Sequence, residues 1–435
     1  MTLTLTISAI TVISMIITVL VKPYVTIKKV GVGLYWIVCL IGAIAILISG
    51  CLPIQKALQG ITAKSSVNPI KILVLFLSMT LLSIYLGNAG FFDYIANSIF
   101  AKSKSGQLKL FLILYAVVSV LTIFTSNDII ILTFTPPICL FCKKAGISAR
   151  PFLIGEFVAA NTWSMTLIVG NPTNIYLAQS AGIGFTQYAS VMLLPSIVGG
   201  LTGLLVILLL FYKQLKMPVQ SSNSNGGDNQ VRIVKAPMIS AIAHLSVCII
   251  LLAVSEFIGL EMWLICLCLA VSLTLFNLVY YLVAFGTAKP VLHSVKKAPY
   301  ELIPFVLSMF VIVLALKECG ATTMISNALI TGTKIDGLSF GFLSALSANL
   351  LNNIPMSVLF EGIINGQSAF ALYGAIIGSN IGAFITPVGA LAGIMWSKIL
   401  GEYHVKLPFL KFIAYGTAVA LPTLLTSLTT LILVL

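Results

Sequence analysis

Charge is what this 435-residue sequence has little of: 8% of its residues are charged and 59% are apolar. Soluble domains carry roughly 25% charged residues on their wetted surfaces. The three soluble domains that such a length would allow, at roughly 150 residues each, are therefore excluded. Histidine is scarce too, and His244, His293 and His404 stand at no metal-ligand spacing. Of the eight cysteines, Cys39, Cys139, Cys142, Cys248, Cys266 and Cys268 lie inside apolar runs. There the residue acts as a small apolar filler rather than a disulfide partner. Cys139-Leu-Phe-Cys142 has no second pair or histidine beside it and reads as structural. No G-x-x-x-x-G-K-[ST] loop occurs, so the chain carries no ATPase of its own. Acid clusters that hold Mg²⁺-diphosphate and catalytic dyads are also missing, which disfavours an intramembrane enzyme. No motif calls for a cofactor or a resident metal.

What the sequence has instead is long apolar runs, among them Leu3 to Val21, Gly31 to Gly50, Leu110 to Phe124 and Leu201 to Phe211. Several approach the ~20 residues that cross a bilayer as helix. They are continuous rather than alternating, which favours helices over a barrel. The expected fold class is an all-α polytopic membrane protein of the cell membrane, its first helix retained rather than cleaved as a signal peptide. The net charge of +13 is then read as loop lysines on the cytoplasmic side, not as a nucleic-acid surface.

One polar, Gly- and Ser-rich stretch, Gln220 to Gln230, divides the chain and prompts a search for repeats. Phe76–Met79 with Gly90 answers Val306–Met309 with Gly320. Ser119–Asp128 answers Ser344–Asn353, and Asn161–Ile175 answers Asn380–Ile394. The order is the same in both halves. The expected organisation is N-terminal helices over 1–68, a first repeat over 69–213, a cytoplasmic linker over 214–237, connecting helices over 238–298 and a second repeat over 299–435.

Each repeat carries one hairpin. The arms around Thr125-Ser126-Asn127-Asp128, roughly 111–124 and 129–141, reach about 20 Å each at ~1.5 Å per residue, short of the ~30 Å core. Lysines flank both outer ends, so a re-entrant hairpin is expected, with a partner over about 338–366 whose tip is Asn352-Asn353. Inverted topology with about ten transmembrane helices then leaves only Lys56, Lys64, Lys71, Lys317 and Lys334 outside.

Each repeat also carries a broken helix. Gly170-Asn171-Pro172-Thr173-Asn174 interrupts the stretch 151–187, and Thr386-Pro387-Val388-Gly389 interrupts 368–398. Proline removes a donor, and glycine permits the unwound turn. Bare backbone inside a bilayer is tolerated only where it lines a cavity or is buried in protein. The hairpin tips and breaks are therefore expected to meet near the midplane around a polar solute. The candidate solute-binding residues are Ser126, Asn127, Asn171, Thr173, Asn174, Asn352, Asn353, Asn380 and Thr386, with Asn161, Thr162, Ser164, Asn349 and Ser379 nearby. Their amides and hydroxyls both donate and accept, which suits a polyol-like or oxyanion-like solute as well as a cation. Asp128 is the candidate coupling-ion residue, because a carboxylate in the membrane is costly and marks a proton or cation site. Its plainer reading is a helix cap. Glu156 reads as structural, with proton relay as the other reading.

FTSND followed by LTFTPP, the N-x-x-N-I ending at Ile175, and GFTQYASVMLLP (Gly184 to Pro195) together resemble a known family. NNIP (Asn352 to Pro355), IGSNIGAFITPVGALAGIMW (Ile377 to Trp396) and GFFDYIA (Gly90 to Ala96) extend the match over roughly 60–430. The family is that of the arsenical pump membrane proteins, arsenite and antimonite permeases of the ion transporter superfamily. The resemblance implies proton-coupled efflux of the trihydroxy forms of arsenite or antimonite, sometimes with a partner ATPase. Gly170 and Pro172 stand where the family usually has serine and leucine, and Asn380 where it often has aspartate.

The expected function is thus a secondary active transporter working by alternating access. Its partners are the bilayer, a small inorganic solute and a proton or sodium, with a second copy of the chain and an ATPase subunit left open. The alternatives are a sodium-coupled carboxylate or inorganic-anion transporter of the same superfamily and, in a different class, a passive channel.

Overall fold

The computed structural model describes residues 1–21, 24–27, 30–62, 68–100, 106–218, 233–387 and 389–435. Lys22, Lys28, Lys29, Lys64, Lys102, Lys104, Arg232, Val388 and the linker stretch Gln220–Gln230, all used in the topology above, lie outside the described residues.

Among the described residues the regular structure is helical apart from one short hairpin of strands. The chain opens with α1 (Thr2–Val21), the antiparallel β1 (Tyr24–Ile27) and β2 (Val30–Gly33), α2 (Leu34–Ile48) and α3 (Ile54–Thr62). Seven helices follow: α4 (Pro69–Asn88), α5 (Phe91–Phe100), α6 (Gln107–Phe124), α7 (Asn127–Lys144), α8 (Arg150–Trp163), α9 (Pro172–Ser180) and α10 (Phe185–Leu215). Next come α11 (Lys235–Ile258), α12 (Met262–Phe285) and α13 (Lys289–Lys296). The series of seven then recurs as α14 (Leu302–Glu318), α15 (Ala321–Leu329), α16 (Ile335–Leu351), α17 (Asn353–Ile364), α18 (Ala369–Gly382), α19 (Leu391–Glu402) and α20 (Phe409–Val434).

Among the described residues six helices are long and apolar enough to cross a bilayer unaided: α4, α6, α10, α11, α12 and α20. α14 and α15 are bent by 77° at Gly320, which sits at φ 78, in the left-handed region that glycine adopts without penalty. α4 starts sharply because the Asn68 side chain accepts from the backbone N–H of Ile70 and Lys71, with Pro69 preset at the first helical position.

The two sevens run in opposite senses. α3 packs near the start of α4 and near the end of α14, where Lys56 pairs with Glu318. At the other end Asn88, the last residue of α4, donates to Ser294 and accepts from Lys297, just before α14 begins. The neighbours α4 and α14 are therefore antiparallel. Partner exchange follows the same symmetry: α7 packs on α19 and α17 on α9, while α10 lies against α20 and α8 against α18.

One length expectation fails. α6 and α7 have 18 residues each, so each arm reaches about 27 Å, close to the core thickness. What distinguishes the hairpin is its tip: Thr125, Ser126 and Asn127 are buried in the protein, and Asn127 donates to Asn161 of the broken helix.

Candidate functional site

The site is built where two unwound stretches and two hairpin tips meet. α8 ends at Trp163, and the chain continues through a single 3₁₀ turn, Ile168–Gly170, before α9 begins at Pro172. The sharp return needs Gly170, since a Cβ there would stand 2.2 Å from the Ser164 carbonyl oxygen. The freed carbonyls find internal donors. The Asn174 amide donates to Ser164 O at 2.8 Å and Leu167 O at 3.2 Å, and Tyr188 donates to Met165 O at 2.9 Å. Buried backbone acceptors without partners would each cost several kcal/mol in lipid. The second break is served by Asn349 of α16, which donates to Gly382 O and accepts from Thr386 N and Thr386 Oγ1.

From this frame a continuous chain of hydrogen bonds runs from one hairpin tip to the other. Asn127 donates to Asn161 at 3.2 Å, and Ser164 donates to Asn161 O and to Asn380 Oδ1 at 2.9 Å. Asn171 donates to the same Asn380 oxygen at 2.9 Å, and Asn380 donates to Asn174 Oδ1 at 2.7 Å. Asn353 closes the chain by donating to Asn171 at 3.5 Å. Asn161, Ser164, Asn171, Asn174 and Asn380 are fully buried.

The sequence-predicted residues divide under this geometry. Ser126, Asn127, Asn171, Asn174, Asn353 and Asn380 come together. Thr173 spends its hydroxyl and N–H on Asn171, which caps α9. Thr386 is bound to Asn349. Asn352 caps α17 at φ 73, accepting from Ile354 N at 3.4 Å, and faces a small apolar space beside Met15 and Phe305. The amides of Asn171, Asn174 and Asn380 are engaged within the protein. Among the described residues, Ser126 Oγ, Asn127 Oδ1 and Asn353 Oδ1 at the tips are buried without a hydrogen-bond partner, as are Thr162 Oγ1 and Thr166 Oγ1 of the first broken helix. Buried polar atoms of this kind are the ones a bound solute or ion would satisfy.

Asp128 stands apart from the chain. The sequence match sets it opposite Asn353, but the helix starts set Asn127 opposite Asn353, one residue earlier. Asp128 is inside the first turn of α7, not at its cap, and has no hydrogen-bond or ion-pair partner among the described residues. Its side chain lines a cavity of about 510 Å³ shared with Asn88, Asp93, Thr133 and Lys297. Glu156 of α8 is buried two turns along α7 from Asp128, where it accepts from Thr135 Oγ1 at 2.9 Å.

A second cavity, of about 450 Å³, is lined by Lys317, Glu361, Asn365 and Gly182. It lies at the ends of α14 and α17, as the first lies at the end of α4 and along α7. In each, a lysine donates to an asparagine oxygen: Lys297 to Asn88 at 2.9 Å and Lys317 to Asn365 at 3.1 Å. Because α4 and α14 are antiparallel, the two cavities sit toward opposite sides of the membrane. The sequence reading missed both. The signal available to it was a lysine near the lysine-poor end of α14 and another just before α14 begins.

Comparison with known proteins places this geometry in company. A family model described as a citrate transporter, CitMHS, matches residues 24–370. The chain is similar to an arsenical pump membrane protein of Escherichia coli, 26% identical over 92% of this chain and 94% of that protein. It is also similar to a putative arsenical pump membrane protein of Bacillus subtilis (strain 168), 24% identical over 82% of this chain and 86% of the other. Among solved structures, the YdaH transporter of Alcanivorax borkumensis shares the fold, with a TM-score of 0.56 at 14% identity over 99% of this chain and 97% of that one.

Proposed function

The chain belongs to the CitMHS family of membrane transporters, and from that premise we propose that it exports a small neutral oxyacid, arsenite or antimonite in trihydroxy form, by proton-coupled alternating access across the plasma membrane. The observation that carries the reading is the hydrogen-bond chain joining the two hairpin tips, flanked by cavities at pseudo-equivalent positions on opposite sides. The two inverted units, 69–213 and 299–435, act as the halves between which access alternates.

Solute contact falls to the tip oxygens of Ser126, Asn127 and Asn353, which accept hydrogen bonds from a hydroxyl-rich solute. Asn171, Asn174 and Asn380 hold the breaks in shape and release amide contacts as the tips part. Asp128, facing the cavity on the lysine-rich side, exchanges the coupling proton. Charge favours a neutral solute. That cavity carries the carboxylates of Asp93 and Asp128 against Lys297, and no basic side chain joins the asparagine chain. A bare multivalent anion would meet a net negative path.

A second reading, sodium-coupled carriage of a carboxylate, is favoured by those same tip oxygens, because hard cations take oxygen ligands. Everted membrane vesicles separate the two. The expected result is arsenite accumulation driven by an acid interior, independent of sodium and of ATP, and lowered at least ~10-fold in Asp128→Asn. A sodium requirement, an ATP requirement, or full driven accumulation in Asp128→Asn would each overturn the assignment. Downhill flux with no accumulation would make the protein a channel.

A further inference from the structure

α4, α11 and α12 meet at a group of sulfur atoms that neither the asparagine chain nor the two cavities use. Cys248 Sγ lies 3.6 Å from Met79 Sδ and 3.7 Å from Cys266 Sγ. Both cysteines are fully buried free thiols, and Met79 is 3% exposed. Three helices thus bring two thiols and a thioether to one point. Thiol and thioether sulfurs are weak hydrogen-bonding groups, so a hydrogen bond is a poor reason for the convergence.

We propose that Met79, Cys248 and Cys266 form a binding site for a soft monovalent metal ion of the Cu(I) or Ag(I) class. The donor set is the first reason, since thiolate and thioether sulfur select soft ions. The spacing is the second. Sulfurs placed about 2.3 Å from a central ion in a trigonal plane, a first-row metal–thiolate distance, stand roughly 4 Å apart, so the two contacts at Cys248 need to open by a few tenths of an ångström for Cu(I) and somewhat more for the larger Ag(I). Zinc fits worse. It takes four ligands of the Cys, His and carboxylate kind, and no cluster of three or more such side chains occurs among the described residues.

Charge conservation in lipid gives the third reason. When R–SH + Ag⁺ becomes R–S–Ag + H⁺, one thiol loses its proton to water and the metal–sulfur bond takes its place. The second thiol and the thioether give lone pairs and keep their own bonds. The buried site is neutral before and after, which avoids the cost of an unpaired charge in the bilayer.

Cys266 is one turn inside the start of α12, beneath Glu261, which accepts from Lys71 and from Trp263 at the lysine-poor face. A cavity of about 300 Å³ between α4 and α12 is lined by Leu77, Ser78 and Leu267, sequence neighbours of Met79 and Cys266, and extends to Val295, Ala298 and Tyr300 at the other end of α4. A bound ion would fasten α11 and α12 to α4.

Silver is the probe, and no transport assay is involved. The full-length protein, purified in detergent and kept reduced with a phosphine, carries Cys51→Ser, Cys268→Ser and Cys319→Ser to remove the thiols that are not fully buried. After silver loading and desalting, about one equivalent should remain and the melting temperature should rise. Cys248→Ser with Cys266→Ser should abolish retention, Met79→Leu should weaken it about 10-fold, and Cys139→Ala with Cys142→Ala should leave it unchanged. Equal retention without Cys248 and Cys266, loss only without Cys139 and Cys142, or no retained silver at all would overturn the site. Silver-edge X-ray absorption of the parent protein needs no further variant: a shell of sulfur is expected, and a nitrogen or oxygen shell would refute the proposal.

Discussion

The two seven-helix series share an order of elements but hold their hairpins by different means. In the second, α16 and α18 meet backbone to backbone. Gly374 and Gly378 lie on Gly337 and Gly341, so closely that a Cβ on Gly378 would stand 1.9 Å from the Gly341 carbonyl oxygen. Small residues four apart allow this approach. In the first, a side chain fills the corresponding gap: Phe111 of α6 lies over Gly155 of α8 and stacks edge-on against Phe152. The carboxyls of Asp128 in α7 and Glu156 in α8 have no acidic counterpart in the second half. By helix position their counterparts are Ile354 and Ala375. The second half carries its carboxyls elsewhere, Asp336 in the first turn of α16 and Glu361 in the second cavity, so the halves differ in where their carboxyls stand as well as in how their hairpins are packed.

The sharpest way to break that contrast is to add one methyl group to each half. Gly378→Ala drives a Cβ into backbone, which has no rotamer to retreat to, and should cost about 3 kcal/mol or more. Gly155→Ala meets only the Phe111 ring, at 2.4 Å from Cε2. It also gains up to ~1 kcal/mol of helix propensity, so its net cost should be about 1 kcal/mol. Thermal melts of the two variants in one detergent measure the difference. Equal losses would mean that both hairpins are equally rigid.

These two contacts also show how far the sequence could be read. The apolar runs, the Gly170–Asn174 break and the polar tips announced themselves because glycine, proline and asparagine are conspicuous inside lipid-length runs. The spacing of Gly374, Gly378 and Gly382 was equally visible, yet its partner face on Gly337 and Gly341 was not, because the pairing depends on tertiary approach. The same holds for Asp128. Its presence in the membrane was legible, whereas its facing the cavity, one residue past the chain-forming Asn127, depends on where α7 begins. α5 and α15 escaped notice as short amphipathic helices after Gly90 and Gly320, each too brief to stand out from its flanks.

A smaller effect compares Asn161 with Asn380, which hold the same place in α8 and α18. Asn380 has four partners: it accepts from Ser164 and Asn171 and donates to Asn174 and Ile376 O. Asn161 uses its amide on Phe157 O and its oxygen on Asn127. Asn380→Ala strands the Asn171 amide and Asn174 Oδ1 between the halves and should cost about 2 kcal/mol. Asn161→Ala should cost nearer ~0.6 kcal/mol, the mean for a side-chain hydrogen bond in a membrane protein. Chemical denaturation in mixed micelles reads both. The reverse ranking would move the keystone of the chain into the first half.

The least effect is expected at the second buried carboxyl. Glu156 accepts from Thr135 Oγ1 with both oxygens, at 2.9 and 3.2 Å, and has no ion-pair partner among the described residues. Glu156→Gln keeps the length and shape of the side chain and an oxygen for Thr135, so stability should change by less than ~1 kcal/mol. Driven accumulation should persist too, because Glu156 lines neither cavity and its carboxyl is held between Thr135 of α7 and Trp396 of α19. If accumulation fell while the fold was kept, the coupling proton would have a second station two turns along α7 from Asp128, beside Thr135. Retained accumulation leaves Asp128, whose counterpart by helix position is Ile354, as the carboxyl beside the first tip on which the coupling rests, and narrows the contrast between the halves to that one pair of positions.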